Sequence, residues 1–169
     1  STHRRRRRRR RPRHEEAPYV INGPHVQIGY THYWLPVAGF PGDVNAGTFT
    51  GFFPTGIVRT GLTFEGGTRD FPLANSDILA RGHYFAGWQG LHVAPSFVPW
   101  VVADLSLGIM VAGRFGSALA WATWSLGVEA GADVYVVRGF HFGAAIAVEY
   151  AAVGELSYPV VSLRAYLGL

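Results

Sequence analysis

Seven charged side chains stand at alternating positions within otherwise apolar segments of the sequence. They are Arg59, Glu65, Asp104, Glu129, Asp133, Glu149 and Arg164. An unpaired buried charge is costly, so we expect these groups to pair with one another. Such a network would act either as a rigid plug of salt bridges or as a polar path for a small solute or proton. We favour the plug. The polar path is the alternative, because the many glycines around these positions leave room that larger residues would fill.

Other chemistry has weaker support in the sequence. Ser76, Asp77 and His83 are candidates for a Ser-His-acid site of the kind found in barrels that modify lipid acyl chains, but no motif joins them. The seven histidines show no metal-ligand spacing such as H-x₃-H or HExxH, and the chain has no cysteine. We therefore predict a protein that is not an enzyme and that has no metal site and no cofactor.

Positive charge is concentrated at the N-terminus. Nine of the 15 basic residues are arginines within residues 4–13, whereas residues 17–169 have six arginines and nine acids, a net charge of −3. The composition of residues 1–18 predicts a disordered arm. The arm has no interleaved aromatic residues for base stacking, which argues against nucleic acid as its partner. An anionic lipid or a cell-wall polymer fits its charge better.

The charged positions lie on segments in which apolar and polar residues alternate, which is the pattern of β-strands. In the clearest segment, Leu105 and Leu107 alternate with Asp104, Ser106 and Gly108. Eight strands are predicted, at about residues 25–35, 46–53, 57–66, 80–94, 100–113, 119–137, 140–151 and 158–169. Short turns alternate with longer loops, which include residues 36–45 and 67–79. The pattern predicts an all-β fold, an eight-stranded antiparallel up-and-down transmembrane barrel over residues 19–169.

Composition decides which way the apolar faces point. Hydrophobic residues make up 49% of the chain and charged residues 15%. A soluble, lipocalin-like ligand-binding barrel needs a charged exterior, but residues 100–169 contain only eight charged side chains. The positions opposite the apolar faces are mostly small or polar, which suits the narrow interior of an eight-stranded barrel. An apolar exterior in a membrane is therefore the favoured arrangement.

A helical membrane protein is the third geometry to weigh, beside the membrane barrel and the soluble barrel. Residues 100–150 are apolar enough to be divided into two spans, but four acids would then lie within them. Each acid costs about 2.5–3.5 kcal/mol at a helix centre, so this geometry is disfavoured.

Most of the tryptophans lie near the ends of the predicted strands, where amphipathic rings settle at the level of the lipid headgroups. We expect this membrane-interface position for Trp34, Trp88, Trp100, Trp121 and Trp124.

In its pattern, the segment from residue 19 to residue 169 resembles the small bacterial outer-membrane barrels of the OmpA/OmpX and OmpW-like class. Ser162, Leu167 and Leu169 match the layout of the C-terminal assembly signal of that class, although Arg164 stands where a glycine is usual and Leu169 replaces the usual terminal aromatic. The resemblance implies an outer-membrane location, contact with membrane lipid, and a structural or surface-interaction role. A narrow channel for small or apolar solutes and the soluble ligand-binding barrel remain the alternatives.

Overall fold

The computed structural model describes residues 23–34, 44–68, 78–90, 96–112, 119–153 and 155–169. The strands are β1 (His25–Trp34), β2 (Val44–Thr55), β3 (Val58–Thr68), β4 (Ile78–Gln89), β5 (Phe97–Ala112), β6 (Leu119–Tyr135), β7 (His141–Val153) and β8 (Leu156–Gly168). Within the described ranges, no helix has the length and apolarity needed to cross a membrane. The predicted arm over residues 1–18 and most of the predicted loops lie outside these ranges.

The eight strands form one closed antiparallel barrel. Each strand pairs with its neighbour in sequence, and β8 pairs with β1 from Gln27↔Gly168 to Trp34↔Val161. Closure leaves no strand edge with unpaired backbone groups. The predicted eight-stranded up-and-down barrel is therefore confirmed, with all eight strands close to their predicted positions.

The two ends of the barrel differ in their connections. At one end, which we call the turn end, β2 and β3 are joined by residues 56–57, β4 and β5 by residues 90–96, and β6 and β7 by residues 136–140. Gly56 and Gly139 have φ angles of 58° and 85°, a left-handed conformation that glycine adopts without a steric penalty. β1 begins at this end and β8 finishes there, where the backbone N–H of Val26 donates to the carbonyl of Leu169 at 2.9 Å. The opposite end, the loop end, has the connections at residues 35–43, 69–77 and 113–118 and a connection of two residues, 154–155, between β7 and β8.

The strands place apolar side chains outside and polar ones inside. In β5, Leu105, Leu107 and Ile109 are exposed, whereas Asp104 and Ser106 are buried in the lumen. The strands have 10 to 17 residues, and a strand tilted by about 45° needs roughly 9 to 11 to cross the hydrocarbon core of a bilayer. This arrangement is the reverse of a soluble ligand-binding barrel, whose apolar residues line the interior.

A glycine on the inner face of β6 makes room for the largest interior side chain. A Cβ atom added at Gly131 would lie 2.5 Å from Cζ2 of Trp100 and 2.7 Å from the carbonyl oxygen of Ala144. We expect Gly131→Ala to lower the free energy of unfolding by about 1–3 kcal/mol because it overpacks the interior. Gly66→Ala is the matched control, since a Cβ there meets no atom within 4 Å. Urea unfolding in detergent micelles compares the two variants, and equal effects would contradict this packing.

Candidate functional site

The lumen holds the candidate site, because the polar side chains of the strands converge there. All seven charged residues named from the sequence face the interior, and none is more than 8% exposed. They do not form one network. The structure divides them between a pair at the turn end and a larger group in the middle of the barrel.

An ion pair surrounded by aromatic rings fills the turn end. Arg59 donates from Nη1 to Oδ2 of Asp133 at 2.5 Å, and its guanidinium carbon lies 3.9 Å from the ring centre of Phe52. Trp100 Nε1 and the Tyr166 hydroxyl donate to Oδ1 of Asp133 at 3.3 and 2.6 Å. We call these five residues the turn-end cluster. Both carboxylate oxygens of Asp133 are satisfied, and the cluster fills this end of the lumen.

The middle of the lumen holds a group that we call the central charge cluster. Its members are Glu65, Arg81, His83, Asp104, Glu129, Glu149 and Arg164. Arg81 connects two of the carboxylates, since its Nε donates to Oε1 of Glu65 at 2.5 Å and its Nη1 to Oε2 of Glu149 at 3.3 Å. The same Glu149 oxygen accepts from the Ser125 hydroxyl at 2.7 Å. Strands β3, β4, β6 and β7 are therefore tied together across the interior.

Three further contacts complete the central charge cluster. His83 Nδ1 lies 2.9 Å from Oδ1 of Asp104, and its Nε2 lies 3.2 Å from Oε1 of Glu65. Arg164 donates from Nη2 to Oε1 of Glu129 at 2.5 Å. Every predicted member is thus paired. Glu65, Glu149 and Asp104 pair with Arg81 or His83, two residues that the predicted network did not include, and the other four pair with one another.

Apolar side chains close the loop end above the charges. This loop-end apolar cluster consists of Tyr33, Val44, Ala46, Leu79, Ala151, Tyr158 and Val160. Tyr33 joins it to the charges beneath, because the Tyr33 hydroxyl donates to Oε2 of Glu65. From the turn end to the loop end, the described interior is thus aromatic with one ion pair, then densely charged, then apolar.

Among the described residues, two small cavities can be assigned to the lumen. A cavity of about 30 Å³ lies among the loop-end apolar cluster, and one of about 20 Å³ lies among the side chains of the central charge cluster. A water molecule needs roughly 10–15 Å³ by the same kind of measure, so each cavity has room for one or two waters. None of the residues lining either cavity belongs to the turn-end cluster, so neither cavity runs the length of the barrel.

The structure corrects two of the five tryptophan assignments. Trp100 is 2% exposed and lies inside the lumen, with its ring 4.4 Å from the guanidinium carbon of Arg59. Trp121 packs against the loop-end apolar cluster. Trp100 and Trp121 lie on the same strand faces as neighbouring residues that point inward. The alternation of the strand therefore outweighs the general preference of tryptophan for membrane interfaces. The remaining three have outward, exposed rings: Trp34, Trp88 and Trp124.

The other sequence-predicted residues have mixed positions. Ser162 is buried in the lumen, whereas Leu167 and Leu169 point outward. Ser76 and Asp77 lie outside the described residues, and His83, their supposed partner, is held by Asp104 in the central charge cluster.

Arg81 and His83 are the site residues that the predicted network missed. They occupy inward positions two residues apart in β4, the strand with the weakest apolar alternation. Arg81 lies two residues before His83, so it shares the inward face of β4, and the alternation of that strand would have identified it. Their partners come from three other strands, so only the closed barrel reveals the pairing.

Comparison with known proteins supports the fold. No protein-family model matches the sequence, and no curated protein matches it either. Among solved structures, Neisserial surface protein A is similar with a TM-score of 0.75 and 15% identity, covering 86% of this chain and 96% of that chain. The attachment invasion locus protein Ail of Yersinia pestis is similar with a TM-score of 0.59 and 15% identity, covering 88% and 100%. Ail has also been solved in complex with the heparin analogue sucrose octasulfate, and that structure has a TM-score of 0.58 and 13% identity to this chain, with coverage of 88% and 100%. At these identities the likeness shows the fold, and it confirms the resemblance to the small outer-membrane barrels.

Proposed function

We propose that this chain is a non-enzymatic barrel of the bacterial outer membrane with a structural or surface-interaction role. The observation that carries the proposal is the apolar exterior of a closed barrel whose lumen is packed with paired charges. Outward residues such as Ile28, Phe64 and Leu107 are more than half exposed, which a monomeric soluble protein does not tolerate over so wide a surface. A bilayer provides the apolar surroundings that these side chains need.

The orientation of the barrel follows from its two ends. Outer-membrane barrels have short periplasmic turns and longer extracellular loops. By this rule the turn end faces the periplasm, and residues 35–43, 69–77 and 113–118 face the outside. The arm then lies in the periplasm, because β1 begins at the turn end, and we propose an anionic lipid or a cell-wall polymer as its partner there.

An epitope inserted into residues 69–77 is expected to bind antibody on intact Gram-negative cells that express and export the chain. The same epitope in the turn at residues 136–139 is the matched control, and it should bind antibody only after the outer membrane has been permeabilised. Flow cytometry of intact and permeabilised cells measures antibody binding to each epitope. Labelling of the turn epitope on intact cells would contradict the proposed orientation.

The composition of the outer loops narrows the kind of partner. Each of the three segments contains one phenylalanine, Phe40, Phe71 or Phe115, and together they have three aspartates and two arginines. A ligand as strongly anionic as the one bound to Ail would require a basic surface, which these segments do not supply. We therefore propose an apolar or neutral polar partner for the loop end.

A narrow conduit is the second candidate, and the two lumen cavities are the observation that favours it. The turn-end cluster argues against it, because Arg59 lies between Phe52 and Trp100 and is bonded to Asp133. We expect the purified chain to give no sustained conductance in planar bilayers above that of detergent alone. Steady single-channel events from the wild-type chain would favour the conduit over the plugged barrel.

A further inference from the structure

The charges of the central charge cluster do not balance. Four carboxylates, those of Glu65, Asp104, Glu129 and Glu149, face the guanidinium groups of Arg81 and Arg164 and the imidazole of His83. Buried charge is tolerated where it is paired or bound to a metal ion. With His83 protonated between Asp104 and Glu65, the carboxylates exceed the cations by one, and a metal ion that displaces this proton raises the excess to two. That excess equals the charge of one divalent cation.

We propose that the central charge cluster binds one divalent transition-metal cation through His83, Asp104 and Glu149. One potential ligand atom from each of these side chains lies within 4.8 Å of the other two. An imidazole nitrogen with carboxylate oxygens is a donor set that Zn²⁺ accepts, at about 2.0–2.2 Å. The residues come from β4, β5 and β7, so their spacing in sequence shows none of the usual metal motifs.

A small cavity lies among the proposed ligands. The cavity of about 20 Å³ is lined by all three proposed ligands and also by Glu65, Glu129 and Arg164 among others. His83 Nδ1 and Asp104 Oδ1 are 2.9 Å apart, a separation that two ligands of one ion can have. The buried Nε2 on the other side of the ring makes no hydrogen bond of good geometry with Oε1 of Glu65 at 3.2 Å. The cavity thus combines the room, the negative charge and a nitrogen donor that a cation site requires.

Neighbouring groups hold the proposed ligands in place. Oε2 of Glu149 accepts from Ser125 and from Arg81, which leaves Oε1 for the ion. The Ser125 hydroxyl is itself 2.5 Å from that of Ser106. Outer partners of this kind orient metal ligands and are a regular part of metal sites.

Zinc binding to the full-length chain, folded in micelles and first stripped with a chelator, tests the proposal. After dialysis against Zn²⁺ and gel filtration, elemental analysis should find one zinc per chain, and His83→Gln or Glu149→Gln should lower the zinc content at least tenfold at the same free Zn²⁺ concentration. His32→Gln and Glu155→Gln are the matched controls, because they change the same residue types outside the cluster, and they should keep the full content. Cobalt gives a second readout, as Co²⁺ bound by His83 should produce visible absorption bands that Glu149→Gln weakens or shifts.

Each variant is first checked for the gel mobility of the folded barrel. Glu149→Gln is nearly isosteric and provides the test if His83→Gln does not fold. Failure of the wild-type chain to retain zinc, or equal zinc content in Glu149→Gln and Glu155→Gln, would overturn the proposal. The first result would indicate that protons on His83 and on a carboxylate, rather than a metal ion, balance the cluster.

Discussion

Replacing Arg81 with methionine is expected to lower the free energy of unfolding by about 3–5 kcal/mol, the usual cost of breaking a buried ion pair. The substitution keeps much of the side-chain volume but removes the positive charge that Glu65 and Glu149 share. Both carboxylates would then remain buried without this partner. The guanidinium also packs 4.9 Å from the ring centre of Tyr33, a contact that methionine does not replace.

Urea unfolding in detergent micelles, followed by tryptophan fluorescence, measures this effect. Arg138→Met is the matched control, because Arg138 is exposed in the turn between β6 and β7 and its loss should change stability by less than about 0.5 kcal/mol. The triple variant Glu65→Gln, Arg81→Met, Glu149→Gln should recover much of the loss, since it leaves no unpaired charge at these positions. Equal stability of Arg81→Met and Arg138→Met would show that the central charge cluster does not stabilise the barrel.

Leu126→Arg is expected to destabilise the chain in lipid bilayers by about 2–4 kcal/mol, the cost of an arginine at the midplane of a transmembrane barrel. Leu126 lies near the middle of β6, points outward with 58% exposure, and is flanked in the sheet by Leu105 and Tyr150. If the barrel exterior faces the bilayer, the surroundings of Leu126 are lipid hydrocarbon. The arginine would have no partner there and would have to draw water or headgroups towards it.

Val136→Arg supplies the control for Leu126→Arg. Val136 is also exposed and apolar but lies in a turn at the barrel end, where the cost should be about 0–1 kcal/mol. Reversible unfolding from liposomes compares the two variants. If this exterior faced water, Leu126→Arg would be as mild as Val136→Arg, and that result would contradict the membrane-facing assignment.

The fold could be predicted from the sequence because alternation is a local signal. In β5, an apolar residue at every second position from Ala103 to Ile109, with Asp104 and Ser106 between them, fixes both the strand and its two faces. The low charge of the chain then shows which face is outside. Closure of the barrel follows from eight such strands, since a twisted sheet of this size hides its edges most simply by pairing the first with the last.

The interior was harder to predict because its contacts depend on register and closure. Arg59 and Asp133 are 74 positions apart in sequence yet form one ion pair, and nothing local indicates that Asp133 rather than Glu129 is the partner of Arg59. Trp100 shows the same difficulty. Its place near a strand end suggests a membrane interface. It lies, however, on the inward face of β5, where Gly131 leaves space for its ring.

Gel mobility of the membrane-extracted protein tests the membrane barrel itself, because a closed membrane barrel resists SDS until it is heated. We predict that the chain is found in the outer-membrane fraction and that the unheated sample migrates differently from the boiled one. A chain that remains in the soluble fraction and migrates identically before and after boiling would contradict the membrane barrel.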